Sequence, residues 1–148
     1  VGKMYANAGI NAVYFLTNMY GWYNWSRKTD DEHVVKITRN TPRQNLLVIL
    51  FAVVFYAAVL FLLRWYNRAD LEYINSSKSW MDALNSTIFM CATILMTVKK
   101  LENWHFWLLG NVISIPICLV QGYYFVAFQY SVFLILAISG LKEWKKKL

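Results

Sequence analysis

The chain has 148 residues, of which 58% are hydrophobic and only 16% charged, a balance that excludes an ordinary soluble domain. Its net charge of +7 does not indicate nucleic-acid binding, because the basic residues flank apolar segments instead of forming one face with interleaved aromatic side chains. The two cysteines, Cys91 and Cys118, lie within apolar segments and predict neither a disulfide nor a metal site.

Five helices are predicted, covering about residues 5–25, 44–64, 80–98, 104–121 and 124–144. Residues 44–63 carry no charge, which gives one span of the roughly 20 apolar residues that a hydrocarbon core about 30 Å thick requires. Residues 103–141 also carry no charge, and at 39 residues they predict two spans joined by a tight turn. The predicted fold class is therefore all-α, a polytopic membrane protein.

Lysine and arginine predict the orientation, since short cytoplasmic loops of membrane proteins carry an excess of both. With alternating spans, eleven of the 15 lie on one side, in the loop 26–44, at Lys99 and Lys100, and in the tail after residue 141. The remaining four lie on the other side. We therefore predict that the C-terminus is cytoplasmic and that Val1 is outside.

An internal repeat relates the first and last predicted helices. The segments GWYNWSRK (21–28) and GLKEWKKK (140–147) share a glycine, a tryptophan four residues later and a basic pair, at an offset of 119 residues. Any membrane helix can end with a tryptophan anchor and basic residues, which is the simpler explanation. If the repeat is real, both copies face the cytoplasm, so the repeats are parallel.

The repeat predicts a plan of three helices, a linker helix and three more helices, with five of the seven in this chain. Residues 1–28 would be the third helix of the first repeat, and its two partners are expected before Val1, which is not a methionine. Residues 29–79 would hold a polar loop, the linker span and a following loop. Residues 80–148 would be the second repeat, with a basic cytoplasmic tail.

Enzyme chemistry is not predicted, and neither is a cofactor or a metal. The spans lack a mid-membrane histidine pair for haem and a mid-helix lysine for retinal. Acidic residues are confined to loops and helix ends, so neither a proton relay nor a coupling-ion site of buried carboxylates is evident.

Uncharged polar and aromatic side chains recur at helical spacing on several spans. The stripes include Tyr14, Asn18 and Trp22 on the first helix, Phe89 and Thr93 on the third, and Trp104, Trp107 and Asn111 on the fourth. Taken singly, each stripe also fits helix packing, and tryptophans at helix ends fit interfacial anchors. Together they predict a pocket for a flat ring, preferably cationic. A phosphorylated substrate would require arginine or lysine there.

The chain resembles the PnuC-type vitamin transporters of bacteria over essentially its whole length. The resemblance is carried by NAVYFLTNMYGWYNW (11–25), KKLENWHFWLLGN (99–111) and FLILAISGLKEW (133–144). The W-x-x-W-x-x-x-N pattern of Trp104, Trp107 and Asn111 looks like that family's signature. SWEET sugar carriers share the repeat plan but are not expected to show this signature.

The resemblance implies a homotrimer in the bacterial inner membrane that carries nicotinamide riboside by facilitated diffusion, with a cytoplasmic kinase trapping the vitamin. Relatives carry thiamine or riboflavin, so these substrates stay open, as does a membrane protein that binds or assembles without transport. The signature places Trp104, Trp107 and Asn111 at the substrate. The cavity reasoning adds six weaker candidates: Asn18, Tyr14, Trp22, Phe89, Thr93 and Gln121.

Overall fold

The computed structural model describes residues 2–26 and 36–148, with side chains from residue 12 onward in the first helix. Its helices are α1 (Gly2–Ser26), α2 (Pro42–Tyr66), α3 (Leu71–Asn75), α4 (Lys78–Thr97), α5 (Asn103–Val120) and α6 (Tyr124–Lys146). The five long helices match the five predicted ones, and the short α3 falls in a segment predicted to be a loop. Val1, Arg27 and Lys28, which the predicted orientation and repeat use, lie outside the described residues.

The start of α2 is fixed by its own sequence. Pro42 occupies the first turn, where its missing N–H costs nothing. The Thr41 hydroxyl accepts a hydrogen bond from the Gln44 backbone N–H at 3.3 Å, and the Gln44 side chain accepts one from the Thr41 N–H at 3.0 Å. This reciprocal capping box satisfies two donors that the helix itself leaves unpaired.

Helices α4 and α5 end in the same cap, a Schellman motif with one residue in the left-handed conformation. At the end of α5 that residue is Gly122, with a φ of 77°. At the end of α4 it is Lys99, with a φ of 51°. Glycine adopts this conformation freely, whereas a residue with a Cβ pays a steric cost. The tight turn between α5 and α6 was therefore readable from sequence, and the turn after α4 was not.

The core of the bundle is α4, which packs against α1, α2, α3 and α5, while α6 packs against α5. Its small and apolar side chains are fully enclosed: Ala83, Cys91 and Ala92 are each 2% exposed or less. Among the described residues, α2, α5 and α6 are long and apolar enough to cross a membrane. Large apolar side chains cover the exposed face of α2, including Leu46, Leu50 and Val54. That distribution suits a lipid environment, where an exposed apolar face is favourable.

The basic segments gather at one end of the bundle, which we call the basic end (residues 24–26, 36–44, 97–104 and 140–148). Backbone hydrogen bonds pair Thr38 with Lys99 and Leu101 at 3.1 and 2.9 Å. The Lys100 ammonium donates to the Arg39 carbonyl at 3.3 Å and to the Gln44 side chain at 3.1 Å. The turns 64–82 and 120–124 form the opposite end. This grouping agrees with helices that alternate in direction.

Candidate substrate-binding cavity

A cavity of about 430 Å³ lies between α1, α4 and α5. Its volume falls within the range of small-molecule sites. Aromatic and small polar side chains line it: Tyr14, Asn18, Gly21, Trp22 and Trp25 from α1, Thr93, Met96 and Thr97 from α4, and Trp107 from α5. None of these lining residues is charged.

One face of α1 forms the longest wall. Tyr14, Asn18, Gly21 and Trp25 follow one another at steps of four, three and four residues, which keeps them on a single side of the helix, with Trp22 beside Gly21. From Tyr14 to Trp25 this face runs about 16 Å at 1.5 Å per residue. The cavity is therefore elongated along the helix, long enough for a ring and an attached sugar placed end to end.

Polar groups are few and specific. The Trp107 indole N–H is buried and has no hydrogen-bond partner among the described residues. The Thr93 hydroxyl donates to the Phe89 carbonyl at 2.8 Å, which leaves its oxygen able to accept. Asn18 lines the same cavity with both amide donor and acceptor groups. The wall thus offers donors and acceptors to a neutral polar group while its main area is aromatic.

Trp107 is held from behind by a second ring. The Phe89 and Trp107 ring centroids lie 5.4 Å apart, and Phe89 stacks on Tyr130 at 6.0 Å. Gly110 makes this possible, since a Cβ there would lie 2.6 Å from the Phe89 ring. Phe89 therefore positions the cavity tryptophan without lining the cavity itself.

Asn111 is also behind the wall, one turn from Trp107, and is 1% exposed. Its amide N–H donates to the Trp107 carbonyl at 2.8 Å. Its amide oxygen is buried without a partner among the described residues. An unpaired buried acceptor is costly, but Asn111 is not among the residues that line the cavity.

Two predicted site residues lie elsewhere. Trp104 is at the basic end, where it forms an edge-to-face pair with Trp144, with ring centroids 5.3 Å apart, and packs on Gly140. Gln121 is exposed at the cap of α5, at the opposite end. Of the nine candidates, five line the cavity, namely Tyr14, Asn18, Trp22, Thr93 and Trp107. Phe89 and Asn111 support it, and substrate contact by any of the nine stays a prediction.

The structure adds lining residues that are not among the candidates. Trp25 stands at a helix end, a position that predicts a membrane anchor, yet it lines the cavity. Gly21, Met96 and Thr97 also line it. Thr97 and Gly21 could have been found from helical spacing, since they continue the stripes through Thr93 and Asn18. Met96 carries no such signal.

The family model described as nicotinamide mononucleotide transporter matches residues 1–146. The chain belongs to this family. Its members are transporters rather than enzymes, which confirms the predicted class and the PnuC-type resemblance.

Curated relatives resemble the chain along nearly its whole length. The nicotinamide riboside transporter PnuC of Escherichia coli (strain K12) is 27% identical, covering 96% of this chain and 67% of the relative. The riboflavin/roseoflavin transporter RibM of Streptomyces davaonensis is 28% identical, covering 97% of this chain and 65% of the relative. The chain thus spans about two thirds of the length of these relatives.

A solved structure agrees with the fold. The crystal structure of the vitamin B3 transporter PnuC matches with a TM-score of 0.68 and 22% identity, covering 98% of this chain and 63% of that one. This likeness confirms the all-helical, polytopic membrane fold.

Proposed function

We propose that the chain carries nicotinamide riboside across the membrane by facilitated diffusion. The observation that supports this most directly is the cavity between α1, α4 and α5, where Trp107 and the aromatic residues of α1 line the same space and none of the described lining residues is charged. A pyridinium ring would stack on these faces and gain cation–π attraction of about 0.5–2 kcal/mol.

The absence of charge from this lining favours the riboside over its phosphate. A phosphate group is bound in proteins by arginine or lysine forks or by helix N-termini. The ribose hydroxyls would be held instead by the Asn18 amide and the Thr93 hydroxyl. Phosphorylation by a cytoplasmic kinase would then trap the vitamin, because the product no longer fits the uncharged cavity.

Transport by this site would require no coupling ion. Among the described residues that line the cavity there is no carboxylate that could bind a proton or a sodium ion. Substrate would move down its own gradient, kept steep by phosphorylation inside. Alternating access would come from rocking one helical bundle against the other.

We also propose the repeat plan, with residues 1–28 as the last helix of one bundle, 29–79 carrying the linker span and 80–148 as the second bundle. Trp25 and Trp144 are equivalent at the offset of 119 residues, and their ring centroids lie 6.3 Å apart. Equivalent residues meet when two parallel repeats are related by an axis between them. In this proposal the basic end and the C-terminus are cytoplasmic, in a bacterial inner membrane, and the carrier is a homotrimer.

Riboflavin is the second candidate, because RibM is as similar to the chain as PnuC is. Its larger, uncharged ring would also stack on the aromatic wall, but would gain no cation–π attraction. Thiamine, a cationic aromatic with a hydroxyl, has chemistry that the cavity hardly distinguishes from the riboside.

Counterflow in proteoliposomes tests the function. Vesicles preloaded with nicotinamide riboside should accumulate labelled riboside, and should do so equally after proton and sodium gradients are collapsed. Excess riboside should compete, whereas the mononucleotide should not. Preferred competition by riboflavin or thiamine would replace the substrate, strict sodium dependence would exclude passive carriage, and binding without counterflow would indicate a non-transporting protein.

Trp107→Ala tests the cavity itself. Loss of one stacking face is worth about 1–3 kcal/mol, so riboside affinity should fall roughly 5- to 150-fold in tryptophan-fluorescence titrations. Trp80→Ala is the matched control, because Trp80 lies at the opposite end against Arg64. Equal loss of affinity in both variants would show that the riboside does not bind in this cavity.

A further inference from the structure

The carbonyl of Thr97, the last residue of α4, accepts hydrogen bonds from α1. The Schellman cap already pairs the two carbonyls before it, since Lys99 N–H donates to Met96 at 3.1 Å and Lys100 N–H donates to Leu95 at 2.9 Å. A helix leaves its final carbonyls without partners inside the helix. The Thr97 carbonyl is therefore available to side chains of a neighbouring helix.

Two donors from α1 use this one oxygen. The Asn24 amide donates to it at 2.9 Å, and the Trp25 indole N–H donates at 3.1 Å. Together they occupy both lone pairs of the carbonyl. The attachment joins α1, in the proposed first bundle, to α4, in the proposed second bundle.

The backbones of the two helices approach closely at the same place. A Cβ added to Gly21 would lie 3.1 Å from the Thr97 methyl carbon, tighter than ordinary contact. Gly21 and Trp25 line the cavity, and Asn24 lies within one helical turn of both. The cavity wall and the helix crossing are thus consecutive parts of one helix face.

Lys99 adds a third contact across this crossing. Its ammonium lies 4.7 Å from the centre of the Trp25 ring, and its side chain is buried. To make this contact, the Lys99 backbone adopts the left-handed conformation, with a φ of 51°, that favours glycine. A strained residue that is nevertheless buried against a specific partner indicates a role beyond capping the helix.

We propose that Asn24 and Trp25, which donate to the Thr97 carbonyl, and Lys99, which lies over the Trp25 ring, form the gate at the basic end of the cavity. This inference rests on the proposed transport function, in which the substrate must pass between the bundles. Trp25 and Thr97 are both lining residues and gate residues, so they form the cavity floor. The substrate leaves at this end only when α1 separates from α4, which breaks all three contacts.

Cysteine labelling tests the gate without any vitamin. Met96 lines the cavity, so Met96→Cys, with Cys91→Ala and Cys118→Ala removing the native thiols, reports access to it. A membrane-impermeant maleimide is applied to everted membrane vesicles and, separately, to spheroplasts. The closed gate should make labelling slow from the side that the basic end faces.

The gate variant is Asn24→Leu with Trp25→Phe, which removes both donors and keeps the bulk. Labelling of Met96→Cys from the basic end should become at least several-fold faster, with no change from the other side. The matched control is Asn45→Leu with Trp65→Phe, since both residues are exposed on α2. Equal rates in the gate variant and the control overturn the proposal.

If the double variant is not recovered folded, Trp25→Phe alone carries the same test, because it removes one of the two donors to the Thr97 carbonyl and keeps an aromatic ring. Faster labelling from the basic end supports the gate, and an unchanged rate overturns it. Because the readout needs no substrate, a gate that opens in a protein that binds no riboside would overturn the proposed substrate alone.

Discussion

Helix α4 has a basic side chain over a tryptophan ring at each of its two ends. At the opposite end the Arg64 guanidinium lies 4.9 Å from the Trp80 ring centre and also donates to the Ile74 carbonyl at 2.9 Å. At the basic end Lys99 lies over Trp25 from a strained backbone conformation. The arginine pair joins α2 to α4 with a planar, always charged group, while the lysine pair joins α1 to α4 with a flexible one.

The difference shows how one helix can be fixed to one neighbour and separable from another. Burial, together with the charge of Lys147, lowers the pKa of Lys99, so the charged form is held there at a cost. The backbone strain adds to that cost. We infer that the arginine pair stays in contact through the transport cycle and that the lysine pair separates.

The largest expected effect is at Gly140, which packs on the Trp104 ring at the basic end. A Cβ at this position would overlap the ring, so Gly140→Ala must displace Trp104 and its neighbour Trp144. Overpacking of this kind typically costs about 1–3 kcal/mol. Thermal unfolding in detergent should show a clear decrease in Tm, whereas Ser139→Ala, at an exposed neighbouring position, should not. An unchanged Tm would mean that the Trp104 ring can move to make room for the added methyl group at little cost in stability.

The arginine pair of Arg64 and Trp80 should contribute to the stability of the fold rather than to gating. Arg64→Met keeps the apolar stem but removes the bond to the Ile74 carbonyl and the cation–π contact, at an expected cost of about 1–3 kcal/mol. The Tm should fall, while labelling of Met96→Cys from the basic end should stay at the control rate. Faster labelling in Arg64→Met would show that the arginine pair also controls access to the cavity, as the lysine pair is proposed to do.

A third test isolates the cost of the left-handed cap. Gly122 has open space around it, so Gly122→Ala adds only backbone strain, about 1–2 kcal/mol. A small decrease in Tm is expected, and Gln121→Ala at the preceding exposed position is the control. No decrease would imply that the α5–α6 turn relaxes to another conformation.

The smallest expected effect distinguishes strain from contact at Lys99. Lys99→Gly relieves the strain and loses the contact with Trp25, while Lys99→Ala loses the contact and keeps the strain. The glycine variant should therefore be about 1 kcal/mol more stable than the alanine variant. Both should label faster at Met96→Cys than the parent chain. Equal stability of the two variants would show that the cap conformation changes when the lysine is removed.

Much of the fold was predictable because it depends on local pattern. Uncharged runs predicted the spans, and the capping box at Thr41 and Gln44 explains where α2 begins. The short helix α3 was missed, since its five residues have too little periodicity to detect. It is set by a cap, in which the Asp70 carboxylate accepts from the Tyr73 N–H at 3.0 Å.

The candidate site was predictable in part, for a similar reason. Helical spacing on α1 identified Tyr14, Asn18 and Trp22, all of which line the cavity. Spacing could not separate Trp107, which lines it, from Trp104, which packs at the basic end. Both tryptophans lie on one face of α5. The neighbouring helices determine which of them packs against other side chains and which lines a cavity.

The sequence by itself determined the class of molecule, the extent of its long helices and the aromatic, uncharged character of their polar stripes. These properties follow from hydropathy and helical period, which act along the chain. Only the tertiary structure decided that α1 crosses α4 at Gly21, that one carbonyl of Thr97 accepts two donors from α1, and that Lys99 takes a glycine conformation to reach Trp25. Those contacts join residues more than 70 positions apart, and packing geometry rather than local pattern sets them.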